Sequence, residues 1–188
     1  MKRIGVLSLQ GSVEEHIAML SKLRGIKPVE VNSSAGIKSV DGLILPGGES
    51  TTISRLLNIF EMADPLRKRI ESGMPVWGTC AGMILLAKEV LGERPHLALM
   101  DISVRRNSYG RQLGSFRVTM PIPEISPHPI ECVFIRAPWV ERVWGTVRVL
   151  AEENGHIIAA RQKNMLVTSF HPELTDDTAV HSAFAAMC

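Results

Sequence analysis

Pro75-Val76-Trp77-Gly78-Thr79-Cys80-Ala81-Gly82-Met83-Ile84-Leu85-Leu86-Ala87-Lys88 is the stretch from which the fold can be read. Pro75 to Gly78 has the look of a short strand and Met83 to Lys88 that of a helix. Between them lies a G-x-C-x-G turn over 78–82. The same pattern with serine is a nucleophile elbow, a sharp strand-to-helix corner with its reactive side chain at the apex. Glycines two residues either side remove the Cβ atoms that would clash at such a corner. Cys80 is then held at the carboxyl end of a strand and the amino end of a helix, where the dipole and free N–H groups favour negative charge. The competing reading of a lone cysteine is a small buried hydrophobe; the paired glycines and the strand-to-helix setting argue against it.

Upstream of the elbow, strand and helix signals alternate. Arg3 to Leu9 reads as a strand, and Ser12 to Arg24 as a helix with Ile17, Leu20 and Leu23 on one face. Lys27 to Val31 and Gly42 to Leu45 are strands; Thr51 to Phe60 and Pro65 to Glu71 are helices. Alternation of this kind predicts a parallel sheet with helices on both faces. Ligands sit at the carboxyl ends of strands in such sheets, and Gly47 and Cys80 both fall there. Downstream, strand signals dominate: Phe116 to Pro121, Glu131 to Ile135, Val147 to Glu152, His156 to Arg161 and Met165 to Phe170. Glu153-Asn154-Gly155 marks a hairpin, and a last helix is expected over Asp177 to Met187. The expected fold is a three-layer α/β/α arrangement, its mostly parallel central sheet carrying antiparallel additions. Its 188 residues suit a single domain, 1–188.

Two further segments supply partners for the cysteine. Ser169-Phe170-His171-Pro172-Glu173 follows the apolar run 164–168. A thiol nucleophile needs a base that can later act as an acid, and histidine suits both tasks near neutrality. The histidine needs an acceptor to fix its tautomer. Glu173 lies two residues on, and in an extended chain i and i+2 point the same way, with Pro172 stiffening the backbone. A surface ion pair at a strand end is the alternative. The other segment, Leu43-Ile44-Leu45-Pro46-Gly47-Gly48-Glu49-Ser50-Thr51-Thr52, runs a strand through two glycines into a helix. Glycines there let the backbone approach a ligand and turn its N–H groups inward, toward an oxyanion or a bound carboxylate or amide. An ordinary Ser/Thr-capped turn reads similarly; the P-loop pattern is absent.

Taken together and in this order, PGGES, GTCAG and HPE resemble the class I (triad) glutamine amidotransferases. Gly5-Val6-Leu7-Ser8-Leu9-Gln10-Gly11, Arg105-Arg106-Asn107-Ser108-Tyr109-Gly110-Arg111-Gln112 and Phe134-Ile135-Arg136-Ala137-Pro138 are similar to signatures of one branch, the glutaminase subunits of pyridoxal 5′-phosphate synthase. The resemblance runs from Gly5 to about Glu173. It implies that Cys80 attacks the side-chain amide of L-glutamine, that His171 is the base and then the acid, and that Glu173 orients His171. It implies an oxyanion hole from the N–H groups of Ala81 and the Gly47-Gly48 turn, Gly48 in particular. Gly47, Gly48, Glu49, Arg106, Ile135 and Arg136 would line the glutamine site, with Gln10 near its mouth as a possible partner contact. A (β/α)8-barrel synthase subunit is the implied partner. Pyridoxal phosphate would be the product of that complex, and no cofactor or metal is implied for this chain. Two other readings stand beside this one. A glutaminase of another complex, such as imidazole-glycerol-phosphate synthase, is disfavoured by the Gln10, Arg106 and Ile135-Arg136 segments. A redox-sensing cysteine protein on a related fold would have no need of Glu173.

Composition bounds the rest. Hydrophobic residues make up 45% and charged residues 21%, and the net charge is +2. Those values fit an ordinary globular chain and give no nucleic-acid or membrane footprint. No apolar stretch approaches the ~20 residues of a membrane span. The three cysteines show no C-x-x-C spacing, which fits a reducing, cytoplasmic setting. Cys132, in an apolar run, is expected to be buried and inert, and Cys188, the last residue, exposed or frayed. His16, His96, His128, His156 and His181 are scattered, with surface or core roles expected. Arg105, Arg106 and Arg111 form a basic cluster suited to a partner or a carboxylate.

Overall fold

The computed structural model describes residues 1–106 and 115–188. A ten-stranded sheet forms its centre. In chain order the strands are β1 (Lys2–Leu7), β2 (Ile26–Val31), β3 (Gly42–Leu45), β4 (Val76–Thr79), β5 (Ala87–Val90), β6 (Met100–Arg105), β7 (Ser115–Met120), β8 (Ile130–Ile135), β9 (Trp139–Val143), β10 (Arg148–Glu153), β11 (His156–Gln162) and β12 (Met165–Thr168). The helices are α1 (Val13–Ser21), α2 (Ser34–Lys38), α3 (Ser50–Ile59), α4 (Ala63–Glu71), α5 (Ala81–Leu86) and α6 (Ala179–Met187). Spatial order across the sheet is β2-β1-β3-β4-β12-β11-β9-β6-β5, with β10 paired to β11. From β2 to β12 the strands run parallel. Beyond β12, β11 and β9 join antiparallel neighbours, and β5 lies parallel to β6.

Period-2 alternation splits the central strands between two cores. Leu43, Leu45, Val76, Met165 and Val167 face one side, where Ile37, Ile53, Leu57, Leu66 and Ile70 of α2, α3 and α4 cover them. Ile4, Val6, Ile44, Trp77 and Leu166 face the other, beneath Leu20 of α1 and Val180 and Phe184 of α6. Both faces being covered explains why these strands read as continuous apolar runs. Pro28 is tolerated in β2 because that strand is an edge of the sheet. The hairpin between β10 and β11 turns on Asn154 (φ 51°) and Gly155 (φ 78°). Two central residues at positive φ are what a type I′ turn requires.

Several expectations need correction. β7 and β8 pair only with each other, as a separate antiparallel ribbon packed on the second core, so they are not additions to the central sheet. The helix after the elbow begins at Ala81 and ends at Leu86, and Ala87 to Lys88 enter a strand. Residues 81–87 are all buried, and a run buried all round carries no periodicity to separate helix from strand. β6, β9 and the short α2 had no counterpart among the expected elements; α2 is capped by Ser33, whose hydroxyl accepts from Gly36 N. Cys188 is not frayed: its Sγ lies over Gly42, and burial pushes its thiol up to about 11. Among the described residues no helix is long and apolar enough to cross a membrane.

Candidate active site

Three loops at the carboxyl ends of β1, β3 and β4, with the turn after β12, converge on one cavity of about 380 Å³. Cys80 sits at the end of β4 with φ 48° and ψ −102°, a backbone conformation that non-glycine residues rarely hold. Its N–H donates to Thr168 O at 2.8 Å, which ties the elbow to β12. Gly82 makes the corner possible: a Cβ there would stand 2.1 Å from Leu45 O. Ala81 is the first residue of α5, and the leading N–H groups of a helix have no partner within it. Its amide is therefore available to whatever occupies the cavity.

His171 and Glu173 reach the cysteine by a route other than the extended one expected. The chain leaves β12, anchors His171 N on Val133 O at 2.7 Å, and turns through a single 3-10 turn at Pro172–Leu174. His171 Nδ1 meets Glu173 Oε1 at 2.8 Å, and the Cys80 thiol is close enough to the ring to favour its charged form. Both His171 and Glu173 are buried. Burial opposes the charged imidazole, but the Cys80 and Glu173 contacts outweigh it and raise the His171 pKa. Burial likewise opposes ionisation of Glu173, and His16, His171 and Ser12 overcome it, holding the carboxyl well below its ordinary range. The surface-pair alternative does not describe this arrangement.

Around the thiol, the cavity wall contains Gly48, Glu49, Arg106, Ile135, Arg136 and Gln10. Gly47 stands behind it against the His171 ring and does not line it. Glu49 does two things at once. As the cap of α3 it accepts from Thr51 N, Thr52 N and Thr52 Oγ1, and its pKa falls to about 2, chiefly through the Thr51 hydroxyl. It also pairs with Arg106 Nη2 at 2.9 Å, while Arg106 Nη1 pairs with Glu93 at 2.5 Å. Arg105, by contrast, turns away to Glu141. Residues 107–112 of the middle signature, Arg111 included, lie outside the described residues. Gln10 Oε1 accepts from Glu49 N at 2.8 Å and lies over Gly48, so its side chain fastens the glycine loop.

Other contributors had no visible signal in the sequence. Ser12 donates to Glu173 Oε1 at 2.8 Å. Ser50 is buried in the cavity wall, and its Oγ has no hydrogen-bond partner among the described residues. His16 and His181 form a buried pair behind Glu173. Only the position of Ser50 directly after Gly-Gly-Glu could have drawn attention to it. The remaining cysteine, Cys132, is fully buried, and burial pushes its thiol up to about 12.

Comparison with known proteins agrees with this geometry. Residues 6–188 match the SNO glutamine amidotransferase family. The chain is 52% identical over 188 residues to the pyridoxal 5′-phosphate synthase subunit PdxT of Ruminiclostridium cellulolyticum, covering all of both chains. It is 51% identical over 185 residues to the protein of the same name from Clostridium botulinum, covering 98% of this chain and 96% of that one. A crystal structure of a glutamine amidotransferase superposes with a TM-score of 0.92 at 41% identity, covering 98% of this chain and 97% of the other. A match over nearly the whole length, in sequence and in fold, means that the chain belongs to the SNO glutamine amidotransferase family.

Proposed function

We propose that this chain is the glutaminase subunit of a pyridoxal 5′-phosphate synthase, and that Cys80, His171 and Glu173 hydrolyse L-glutamine to L-glutamate and ammonia. The observation that carries the chemistry is the buried His171–Glu173 hydrogen bond beside Cys80, with Cys80 and His171 both at the wall of one cavity. Full-length similarity to PdxT subunits supports the biological assignment. That both cores share one sheet supports reading 1–188 as a single glutaminase domain.

The reaction divides into two steps. The proton shared between Cys80 and His171 rests on His171 as Cys80 Sγ bonds to the amide carbon of glutamine, giving a tetrahedral oxyanion. Collapse breaks the C–N bond, and the proton held by His171 leaves with ammonia. Water then attacks the thioester, its proton passes to His171, and the thiol departs to release glutamate. Both tetrahedral species carry their charge at the same oxygen. In this reading the N–H groups of Ala81 and Gly48 receive it, and loss of one such donor typically costs roughly 10²–10³ in rate. Glu173 Oε1 accepts from His171 Nδ1, which leaves Nε2 as the nitrogen that exchanges the proton with sulfur. The Arg106 guanidinium and the Glu49 carboxylate give the cavity a cation and an anion side by side. Those charges match the carboxylate and ammonium of an amino acid.

Ammonia in water near neutral pH is mostly ammonium, which is no nucleophile, so its delivery requires a docked acceptor. The acceptor in this reading is a (β/α)8-barrel synthase subunit docked on the rim that contains Gln10. The test is glutamate release from L-glutamine by the chain alone and with that synthase, with Cys80→Ala as the blank. Release that depends on the synthase and disappears in the blank supports the reading; equal release in the blank overturns it.

A further inference from the structure

Behind the triad lies a second line of buried polar groups that the reaction above does not use. Glu173 Oε1 is doubly served, by Ser12 Oγ and His171 Nδ1, each at 2.8 Å. Its other oxygen, Oε2, is fully enclosed and has no hydrogen-bond partner among the described residues. The group facing it is His16 Nε2 of α1, 3.6 Å away and 3.3 Å from Thr79 Oγ1. On its other side His16 Nδ1 meets His181 Nε2 of α6 at 2.9 Å. Both histidines are 0% exposed. Trp77 meets both rings edge-on, with centroids 5.5 Å and 4.9 Å away, and so fixes their planes.

The proton positions follow from this geometry. A contact of 2.9 Å between two ring nitrogens holds one proton. Burial disfavours the charged form of each ring and lowers its pKa, while the Glu173 carboxylate pulls the other way at His16. If that proton belonged to His16 Nδ1, the His16 Nε2 lone pair would accept from Thr79 Oγ1 at 3.3 Å and would still face the Glu173 carboxylate. His181 would then keep its own proton on Nδ1, which has no partner among the described residues, leaving a buried unpaired donor. With the protons on Nε2 of both rings, His181 donates to His16, and His16 Nε2–H points toward Thr79 Oγ1 and Glu173 Oε2. Only a bare His181 nitrogen is then unpaired. The second arrangement avoids both penalties.

We propose that His16, backed by His181, is a positioning residue of the triad: its Nε2–H faces the second carboxylate oxygen of Glu173 and fixes that carboxylate for His171. At 3.6 Å the contact is longer than a hydrogen bond. In a water-excluded interior an N–H dipole still acts on a carboxylate at that range, and active-site contacts tighten once substrate is bound. Without it, Glu173 is free to rotate about its remaining contacts and His171 loses its fixed tautomer. The proposal rests on the triad reading given above.

Two substitutions separate positioning from packing. Asparagine at 16 can still accept from His181 but is too short to reach Glu173; glutamine places an amide N–H close to the position of Nε2. In the complex with the synthase, His16→Asn should lower kcat for glutamate release about 10- to 100-fold, up to the cost of misplacing a reacting group by about 1 Å. KM should change little. His16→Gln should stay within about threefold of the parent, and the His171 Nδ1 proton resonance should shift or broaden only in the asparagine variant. Equal kcat in the two variants, with both folded by circular dichroism, overturns the proposal, whether both are fast or both slow. Cys80→Ala run alongside keeps the two claims apart. If it still releases glutamate, the triad reading fails; if it is dead while the two His16 variants match, only the role of His16 fails.

Discussion

Gly47 is pressed against the catalytic histidine so closely that one methyl group should disable it. An ideal Cβ on Gly47 would stand 2.5 Å from His171 Cε1 and 3.0 Å from its Nδ1. Ordinary contact between carbon atoms is about 3.5–4.0 Å, so the ring must retreat by roughly 1 Å. It is not a flexible side-chain end: Glu173 holds Nδ1 at 2.8 Å, the side chain is buried, and Val133 O fixes the backbone. A displacement of about 1 Å at a reacting group costs on the order of 10² in rate. Gly47→Ala should therefore lower kcat for glutamate release in the complex about 100-fold. The stability loss should be the roughly 1–3 kcal/mol of a mild overpacking, so the variant still folds. The assay is glutamate production at saturating glutamine, paired with a thermal melt of the same preparation. A folded Gly47→Ala chain with undiminished kcat would refute the claim that His171 works from the position seen here.

Other expectations concern the rim and the thiols. Arg106→Ala should lower kcat/KM for glutamine by about tenfold or more, and Arg106→Lys should not restore it, because one ammonium cannot bridge Glu49 and Glu93 as the guanidinium does. Unchanged turnover in either variant would remove Arg106 from the site. Glu49→Ala should cost about 1 kcal/mol at neutral pH as a lost helix cap. The Glu49 pKa is depressed to about 2, so its stabilisation is complete above the ordinary carboxylate pKa near 4.5 and is lost as pH falls toward 2. Melts of parent and variant should converge over that window, and a gap that stays constant down to pH 2 would contradict the capping role. Iodoacetamide near neutral pH should label Cys80 and spare Cys132, which is enclosed and whose thiol is pushed up to about 12. Peptide mapping that found Cys132 labelled in folded protein would contradict its burial.

Much of this site could be read from sequence because its chemistry lies in short local patterns. The elbow needs small residues at 78 and 82 whatever surrounds it, and His171 and Glu173 are two residues apart, so their meeting is a local matter. The parallel half of the sheet announced itself through alternating strands and helices. What stayed hidden depends on distant parts of the chain. His16 and His181 are 165 positions apart and meet only because α1 and α6 cover the same sheet face. Ser12 reaches Glu173 across 161 positions. Nothing in their neighbourhoods distinguishes them from ordinary surface or core residues. The pairing of β7 with β8 away from the main sheet was equally illegible, since strand alternation says which face is buried and not which strand is the neighbour. β6 is a different case: Met100, Ile102 and Val104 do alternate inward, and the pattern was open to reading.

The central claim is that Cys80 carries the γ-glutamyl group between release of ammonia and entry of water. The most direct measurement is the mass of this chain after acid quenching during steady turnover of glutamine in the complex, followed by peptide mapping. The account predicts an added glutamyl group on the peptide containing Cys80, present with the parent chain and missing with Cys80→Ala. Turnover without any adduct, or an adduct on another residue that persists in Cys80→Ala, would contradict it.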